Sequence, residues 1–485
     1  MRAGYSHGTL ISCAMTYHDA TFVEKLSKVV GREHVLTAPS EMAPFLVDWR
    51  ARFHGAAQAV VQPANTPEVA RVVAVCADAN VPIVPQGGNT GMCGAATPDQ
   101  SGNEVVISLA RLRTVREVDP DNATITVDAG VTLAEVQQAA AEAGLLFPLS
   151  LASEGSCTIG GNLSTNAGGT AVLRYGNTRE LVLGVEVVLA DGRIWNGLRG
   201  LRKDNSGYDL KQLFIGSEGT LGILTAAVLK LFAAPRSRVT ALAAMASVGH
   251  AVHLLRAMKQ ALGDHLVGFE LISGFALELS RRHHPHLPDP LPGHAWYVLL
   301  QANDSTADAP LATRVENAFA VAAEASIVED ATIAQSEEQA ARLWALRENI
   351  SEAQRREGPN IKHDISVPIS AIPAFIAETG SALTQALPGA RLVVFGHLGD
   401  GNLHYNVAAP VGASAQKFMD NTALANRIVH DGVVAKGGSI SAEHGIGQLK
   451  REELAHYKGP LELELMARLK SALDPRGLLN PGKVL

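Results

Sequence analysis

Two histidines separated by a predicted tight turn are the strongest chemical signal in the sequence. The stretch from Gly396 to His404 reads GHLGDGNLH, and Asp-Gly between two apolar segments is the usual two-residue connection of a β-hairpin. If Asp400 and Gly401 form the loop, His397 and His404 face each other, with Cβ atoms roughly 4.5–5.5 Å apart. Paired imidazoles without cysteine suit zinc, manganese or iron. The alternative, two structural or exposed histidines, is weakened because the turn forces the two rings together.

A second motif places a carboxylate beside an imidazole. Ser441 to Gly447 reads SAEHGIG. Neighbouring residues on a strand point to opposite faces, so one site can use both only if this segment is a loop, as its glycines indicate. Glu443 would then complete a His/His/Glu metal site, and His444 would remain free as a base. The alternative is a helix-start carboxylate next to a solvent-exposed histidine.

A third group combines cations with a hydroxyl. Arg347 and Ser351 are four residues apart, so on a helix they share a face, and Lys362 follows. An arginine fork and a lysine point charge could bind one carboxylate together. Glu348 and Glu352 lie nearby in the sequence, so an ordinary solvated helix face is the alternative.

Glycines indicate the loops that must position these side chains. The chain has 45 glycines, and they cluster at residues 87–94, 155–169, 216–222, 396–401 and 437–447. Such clusters occur where the backbone approaches a ligand closely, so we expect one large ligand held by many loops. The sequence contains neither G-x-G-x-x-G nor G-x-x-x-x-G-K-[ST], which argues against a Rossmann dinucleotide site and a P-loop.

The first glycine cluster follows an apolar strand, Val81–Val84. Successive backbone N–H groups in Pro85–Gly91 would suit a pyrophosphate, although a surface turn is the alternative. Thr66 is expected to cap one helix and Thr132 another, Leu133–Ala143. Strand–helix–strand units predict an α/β or α+β domain. After Pro235 the pattern becomes more helical, which indicates a second domain.

Composition excludes several classes of protein. The 485 residues are 47% hydrophobic and 18% charged, with a net charge of −7, which argues against disorder, coiled coil and nucleic-acid binding. No apolar run reaches the roughly 18–20 residues of a membrane span. Cys13, Cys76, Cys93 and Cys157 form no C-x-x-C motif, which fits a reducing compartment, and we expect a cytoplasmic protein. We expect Met15, rather than Met1, to begin the natural chain.

In order and spacing, three segments resemble the FAD-binding oxidoreductases of the vanillyl-alcohol-oxidase type. They are Gln86–Gly91, Ile159–Gly169 and Asn205–Ile223. The resemblance covers the chain from about Ala59 to Leu485. It implies an α+β fold: an FAD-binding domain, an antiparallel-sheet substrate cap, and a C-terminal helical segment that returns to the FAD domain. The corresponding ranges are 1–233, 234–436 and 437–485.

The same resemblance implies the FAD contacts. No histidine lies between Gly87 and Ile223, so we expect FAD to be bound non-covalently. The expected cofactor-binding residues are Pro85, Gln86, Gly87, Gly88, Asn89, Thr90, Gly91, Ser153, Gly160, Gly161, Asn162, Ser164, Thr165, Asn166, Gly168, Glu218, Gly219, Ile223 and Asn480.

The histidine motifs resemble those of the family branch that oxidises D-2-hydroxy acids. By position, this resemblance implies that His397, His404 and Glu443 bind a divalent metal, with zinc expected. It implies that His444 is the general base and that Asn406 contacts the head of the substrate. The metal would chelate the hydroxyl and C1 carboxylate, and the Cα hydride would pass to the flavin.

The cationic group resembles that of D-2-hydroxyglutarate dehydrogenases, in which an Arg, a Thr and a Lys hold the distal carboxylate. Here Arg347 and Lys362 match, and Ser351 stands where the Thr usually is. The expected substrate is therefore D-2-hydroxyglutarate. A D-lactate or glycolate dehydrogenase, an oxidase using O₂, a catalytically silent FAD-binding subunit and a metal-storage module are the alternatives. The electron acceptor (electron-transfer flavoprotein, quinone or cytochrome) stays open, and a homodimer is expected from the frequency of such assemblies.

Overall fold

The C-terminal half of the chain is built on an eight-stranded antiparallel sheet, and the N-terminal half on sheets of four, five and two strands. The structure, a computed structural model, describes residues 20–307 and 310–485. The predictions on Cys13 and Met15 lie outside these residues.

The four-stranded sheet supports the first glycine loop. Ala59–Val61 and Ile83–Gln86 both pair in parallel with Val105–Ser108, and Val35–Leu36 adds an antiparallel edge. Helix Thr66–Ala79 connects the first two of these strands, as a parallel pairing requires. The predicted strand–helix–strand unit is therefore confirmed.

Helix caps fix where the N-terminal helices begin. The predicted cap at Thr66 is wrong by one residue, because the side chain of Asn65 accepts the N–H of Glu68 and Thr66 is already helical. Thr132 does cap the next helix and forms a capping box with Glu135, an interaction worth about 1 kcal/mol.

The five-stranded sheet is antiparallel throughout. In spatial order its strands are Val115–Asp119, Thr124–Asp128, Ile223–Lys230, Val182–Val188 and Ile194–Gly197. The two-stranded ribbon pairs Leu145–Leu146 with Phe232–Ala233.

The eight-stranded sheet forms the cap. In spatial order its strands are Asp330–Ile333, Ser237–Met245, Trp296–Asp304, Leu266–Ser273, Arg391–His397, Asn402–Ala408 and Asn360–Ile361, and Asp364–Ser366 also pairs with Asn402–Ala408. Apolar side chains pack on both faces of this sheet, so a charged residue on one of its central strands needs a partner.

The described helices surround these sheets. The α-helices are Ala20–Val30, Pro39–Met42, Thr66–Ala79, Leu133–Glu142, Ile159–Thr165, Val172–Tyr175, Lys211–Phe214, Val248–Leu262, Gly274–His283, Leu311–Glu324, Glu337–Glu348, Ile350–Glu357, Ile372–Ala386, Ala415–Met419, Thr422–Ala435, Arg451–Tyr457 and Pro460–Leu473. Short 3₁₀ helices are Arg32–His34, Ala43–Phe45, Thr178–Leu181, Gly263–His265 and Ile369–Ala371.

The C-terminal segment lies against the N-terminal half. Leu479 forms a parallel bridge with Ile83. The side-chain amide of Gln448 donates to the carbonyls of Gly94 and Thr97, both at 2.9 Å. The loop just before Gln448 is thereby fixed beside the first glycine loop.

Candidate active site

A cleft with an empty volume of about 780 Å³ lies between the glycine loops of the N-terminal half. Most of the residues predicted to bind the cofactor line it: Pro85, Gln86, Gly87, Gly88, Asn89, Thr90, Gly91, Gly160, Gly161, Asn162, Ser164, Thr165, Glu218, Gly219 and Ile223. The remaining predicted residues, Ser153, Asn166, Gly168 and Asn480, are not among its lining residues.

Two glycines let the facing loops of the cleft approach each other. A Cβ atom on Gly88 would lie 1.9 Å from the carbonyl oxygen of Ser156, and one on Gly87 would lie 2.4 Å from the hydroxyl oxygen of Thr158. Neither distance leaves room for a side chain, so this loop needs glycine for close backbone approach.

The cleft presents unpaired donors. Within the described part of the chain, the backbone N–H groups of residues 88–91 have no acceptor, and the buried hydroxyl of Thr158 has no hydrogen-bond partner. Successive N–H groups in a loop form a site for an anion, and buried polar groups in native proteins are normally paired. These residues therefore fit the pyrophosphate of FAD.

Glu218 and Asn480 hold the C-terminal loop against the cleft. The Glu218 carboxylate is buried and accepts the N–H groups of Ile446 at 2.7 Å and Gly447 at 2.8 Å. The Asn480 side chain donates to the carbonyls of Glu218 at 2.7 Å and Ala95 at 3.0 Å. Both residues thus position the loop that carries the predicted base.

The hairpin with the two histidines has a longer loop than predicted. Its strands are Arg391–His397 and Asn402–Ala408, and Phe395, rather than His397, lies opposite His404. The predicted register is therefore wrong by two residues. Because side chains alternate with a period of two, an even shift keeps both histidines on one face. Their ring centroids are 5.9 Å apart.

Glu443 lies close to both histidines. Its Oε1 lies 3.4 Å from Nε2 of His397, and one ligand atom from each of His397, His404 and Glu443 lies within 4.8 Å of the others. Residues 441–446 are neither helix nor strand, as the sequence indicated. A second group, Asp364, Glu443 and His444, meets the same distance.

Glu270, a carboxylate next to His397, was not among the site residues predicted from the sequence. Its Oε1 lies 2.5 Å from Nδ1 of His397, and its Oε2 accepts Nε–H of Arg347 at 2.8 Å. A histidine that binds a metal through one ring nitrogen usually gives its other N–H to a carboxylate. This arrangement, with two imidazoles and a carboxylate converging, fits a divalent ion such as zinc.

Asp364 is the second missed carboxylate. Its Oδ2 accepts the N–H groups of Glu443 and His444, both at 2.9 Å, and lies 3.5 Å from Nδ1 of His444. Its Oδ1 accepts the side-chain N–H of Asn402 at 2.9 Å. Glu270 is the charged residue within the otherwise largely apolar strand Leu266–Ser273, and that feature could have revealed it, whereas Asp364 begins a short strand directly after Lys362 and His363 and carries no such signal.

Burial and neighbouring charges set the pKa values in the cluster. Burial lowers the pKa of His404 to about 4. Burial also acts on His397, but Glu270 and Glu443 outweigh it and raise the pKa of His397 well above its usual value. Burial opposes ionisation of Glu270, yet His397 and Arg347 lower its pKa to about 2. The cluster thus favours positive charge at His397.

The predicted substrate residues differ in their surroundings. Arg347 is buried, is paired with Glu270, and lies over the ring of Phe395 at 4.7 Å. Ser351 is exposed on the next helix. Lys362 is half-buried, and burial together with nearby arginines lowers its pKa to about 8.

Asn406 lies on the same face of its strand as His404, but protein groups occupy most of its amide. Its Oδ1 accepts the N–H of His363, and its Nδ2 donates to Gln354, both at 3.0 Å. An amide nitrogen carries two hydrogens, so one donor remains for a ligand.

Arg50 is a further cation that sequence analysis missed. It is half-buried, and the backbone N–H groups of Arg50, Arg52 and Phe53 all donate to the carboxylate of Asp48. Among the arginines that lower the pKa of Lys362, Arg50 has the largest effect. No acceptor for its guanidinium occurs within residues 20–307 and 310–485. Arg50 is therefore a cation whose charge acts on Lys362 and is not neutralised by a hydrogen-bonded carboxylate in this part of the chain.

Gly168 connects the cleft to the histidine cluster. A Cβ atom on Gly168 would lie 3.4 Å from Oε1 of Glu443. The segment predicted to run along the flavin therefore ends directly against the candidate metal site.

Comparisons with known proteins agree with this architecture. Residues 57–197 match the family model described as the FAD binding domain, and residues 234–484 match the C-terminal domain of FAD linked oxidases.

The chain is 39% identical over 457 residues to mitochondrial D-2-hydroxyglutarate dehydrogenase of Bos taurus, covering 93% of this chain and 81% of the relative. It is 40% identical over 461 residues to D-2-hydroxyglutarate dehydrogenase of Xanthomonas citri pv. viticola, covering 95% of this chain and 96% of the relative.

Among solved structures, p-cresol methylhydroxylase with bound substrate superposes with a TM-score of 0.75 at 17% identity, covering 96% of each chain. This likeness concerns the fold alone, and together with the family models it confirms the predicted fold class. Among the described residues, the structure has no helix with the length and apolarity needed to cross a membrane.

Proposed function

This chain belongs to the family of FAD-linked oxidases, and on that premise we propose that it is a D-2-hydroxyglutarate dehydrogenase, which oxidises D-2-hydroxyglutarate to 2-oxoglutarate. FAD supplies the hydride acceptor. The observation that carries the proposal is the contact between the flavin segment and the cluster, where Gly168 lies against Glu443. A hydroxy acid held by the cluster would therefore lie next to the segment that leads into the cofactor cleft.

We propose that His397, His404 and Glu443 hold a divalent metal ion, with zinc as the first candidate. An ion bound there supplies Lewis-acid polarisation of the substrate hydroxyl. Support comes from the donor set and from Glu270, which occupies the second ring nitrogen of His397. Asp364 fixes the backbone on either side of the Glu443–His444 peptide.

In this proposal His444 takes the hydroxyl proton. Asp364 accepts its backbone N–H and faces its Nδ1 at 3.5 Å. That arrangement orients the ring and leaves Nε2 as the atom that receives the proton. His444 is not needed as a metal ligand if His397 and His404 supply the nitrogen donors.

We assign the distal carboxylate to Lys362, Arg347 and Ser351, and the remaining N–H of Asn406 to the substrate head. Lys362 supports this most directly, because it is half-buried and, among the described residues, has no carboxylate partner. Arg50 adds a second positive charge that acts on Lys362. A dicarboxylate would neutralise cations that otherwise repel each other.

One observation favours a second candidate function. Arg347 already pairs with Glu270, so it does not require a carboxylate from the substrate. A dehydrogenase for a short acid, D-lactate or glycolate, would use the same cluster and base without the distal contact.

We further propose an external electron acceptor: an electron-transfer flavoprotein, a quinone or a cytochrome. We also propose a cytoplasmic location, supported by the free thiols of Cys76, Cys93 and Cys157, and a homodimer as the working assembly.

Dye-linked turnover tests the proposed function. The purified protein, loaded with FAD and Zn²⁺, is given D-2-hydroxyglutarate and an artificial acceptor, and 2-oxoglutarate is measured directly. We expect stoichiometric 2-oxoglutarate and dye reduction, with the L enantiomer inactive. A flavin-loaded protein that forms no 2-oxoglutarate but oxidises D-lactate supports the second candidate. No oxidation of either acid supports the silent FAD-binding subunit.

A further inference from the structure

Glu270 is the most deeply buried carboxylate at the site and contacts two functional groups at once. It is 1% exposed and lies on the central strand Leu266–Ser273 of the cap sheet. One oxygen meets Nδ1 of His397 at 2.5 Å, and the other meets Nε of Arg347 at 2.8 Å. The candidate metal ligand and the candidate substrate-binding arginine thus share one anchor.

The Glu270 carboxylate determines which atoms of His397 and Arg347 remain free to bind a ligand. An imidazole that donates Nδ1–H to a carboxylate keeps its Nε2 lone pair for a metal, and Nε2 of His397 does face Glu443 at 3.4 Å. For Arg347, the contact through Nε fixes the plane of the guanidinium and leaves its terminal nitrogens without a protein acceptor among the described residues. Those nitrogens remain for a carboxylate of the substrate.

We propose that Glu270 is a positioning residue that sets both how tightly His397 binds the metal and how tightly Arg347 binds the distal carboxylate of the substrate. This inference rests on the proposed function. A single substitution of Glu270 should therefore change both the Zn²⁺ affinity of the histidine cluster and the KM for a substrate with a distal carboxylate.

The chain contains a matched control. Glu357 is also a carboxylate shared by a histidine and arginine side chains, with Nε2 of His283 at 2.8 Å, the Arg391 guanidinium at 2.6 Å and the Arg282 guanidinium at 3.0 Å. It lies at the end of helix Ile350–Glu357 and contacts no member of the cluster. Glu357→Gln therefore reports what the loss of such a carboxylate does to the cap in general.

The first readout is Zn²⁺ affinity, measured on flavin-loaded protein by competition with a chromogenic chelator. We expect Glu270→Gln to weaken Zn²⁺ binding by about 10–100-fold and Glu357→Gln to leave it unchanged. Glu270→Asp keeps the charge on a shorter side chain and should lie between wild type and Glu270→Gln; it decides the question if Glu270→Gln does not fold.

The second readout is KM with saturating Zn²⁺. Glu270→Gln should raise KM for D-2-hydroxyglutarate by about tenfold relative to D-lactate, because an arginine that has lost its carboxylate partner no longer presents its terminal nitrogens in a fixed plane for a bidentate contact. Arg347→Ala should reproduce this KM ratio without the change in Zn²⁺ affinity.

The outcomes separate this inference from the function on which it rests. If wild type binds no Zn²⁺, the proposed metal site fails. If wild type binds Zn²⁺ and Glu270→Gln binds it equally well, or if Glu357→Gln weakens it to the same extent, the positioning role is wrong.

Discussion

The cofactor cleft and the histidine cluster, which are linked by the segment from Thr165 to Gly168, are built in different ways. The cleft is lined by glycine-rich loops, and its donors are backbone N–H groups of residues 88–91. The cluster is built from side chains that come from three distant parts of the chain: Glu270, the 391–408 hairpin, and the 441–446 loop. One region presents backbone to its ligand, and the other presents side chains held by buried carboxylates.

Because of this difference, the two regions should be sensitive to different kinds of substitution. A backbone site fails when a side chain is added, because the loops are already in contact. A side-chain site fails when a donor or its anchoring carboxylate is removed. A substitution in one region should therefore abolish binding of its own ligand, FAD in the cleft or the metal ion at the cluster, without affecting the other ligand.

Metal removal should have the largest effect. Dialysis against a strong chelator should abolish turnover and leave the flavin absorbance intact, because the cleft uses no residue of the His397–His404–Glu443 cluster. Added Zn²⁺ should restore the rate. Full activity in protein shown by elemental analysis to hold no divalent metal would rule out the metal assignment.

Gly88→Ala should prevent FAD binding in the cleft and leave metal binding by the histidine cluster unchanged. The added Cβ would lie 1.9 Å from the backbone of Ser156, so the purified variant should contain little FAD while binding Zn²⁺ as wild type does. Gly155→Ala is the control, because a Cβ there meets nothing within 4 Å. An FAD content equal in both variants contradicts the close-packing argument.

His444→Ala should slow reduction of the flavin by substrate by at least about 10²-fold, the usual contribution of a general base. Stopped-flow measurement gives the rate, and metal analysis of the same sample decides between the two groups of candidate ligands. Retained Zn²⁺ with a slow rate supports the base. A loss of Zn²⁺ would instead make His444 a ligand alongside Asp364.

Lys362→Ala should raise KM for D-2-hydroxyglutarate by about tenfold, the loss of one charge-assisted contact, and change KM for D-lactate little. Lys458→Ala, at an exposed pair with Glu462, is the control. Equal effects of Lys362→Ala on the two substrates would place this lysine outside the distal pocket.

The pH dependence should show the smallest effect. Burial and the nearby arginines lower the pKa of Lys362 to about 8, so the free enzyme loses this cation as the pH rises through about 8. The kcat/KM for D-2-hydroxyglutarate should then fall above that pH, and that for D-lactate should not fall in parallel. In Lys362→Arg the additional fall should disappear, because arginine stays charged.

Local signals in the sequence predicted much of this structure. The Thr132 cap and the strand before the first glycine loop occur as expected. They depend on neighbours within a few residues, which a single sequence contains. The Asp-Gly turn gave the correct face for His397 and His404 but the wrong register, because the loop holds four residues rather than two.

Long-range partners could not be predicted. Glu270 is 127 residues from His397 along the chain, and no local pattern states that their strands are neighbours. For the same reason, the sequence does not reveal the pairing of Arg347 with Glu270. It leaves a substrate ligand and a solvated helix face as the alternatives, and burial of Arg347 argues against the second. Arg50 was missed because it lies on an irregular loop held by Asp48.

Anaerobic reduction of the flavin is the most direct test of the central claim that the cleft and the cluster act together on D-2-hydroxyglutarate. The purified protein, with FAD and Zn²⁺ bound, is mixed in turn with D-2-hydroxyglutarate, D-malate, D-lactate and glycolate, with the L forms as controls. We predict rapid bleaching of the flavin by D-2-hydroxyglutarate and slow or no bleaching by the others. Rapid bleaching by D-lactate or glycolate alone would contradict the distal pocket, and no bleaching by any of these acids would contradict the account as a whole.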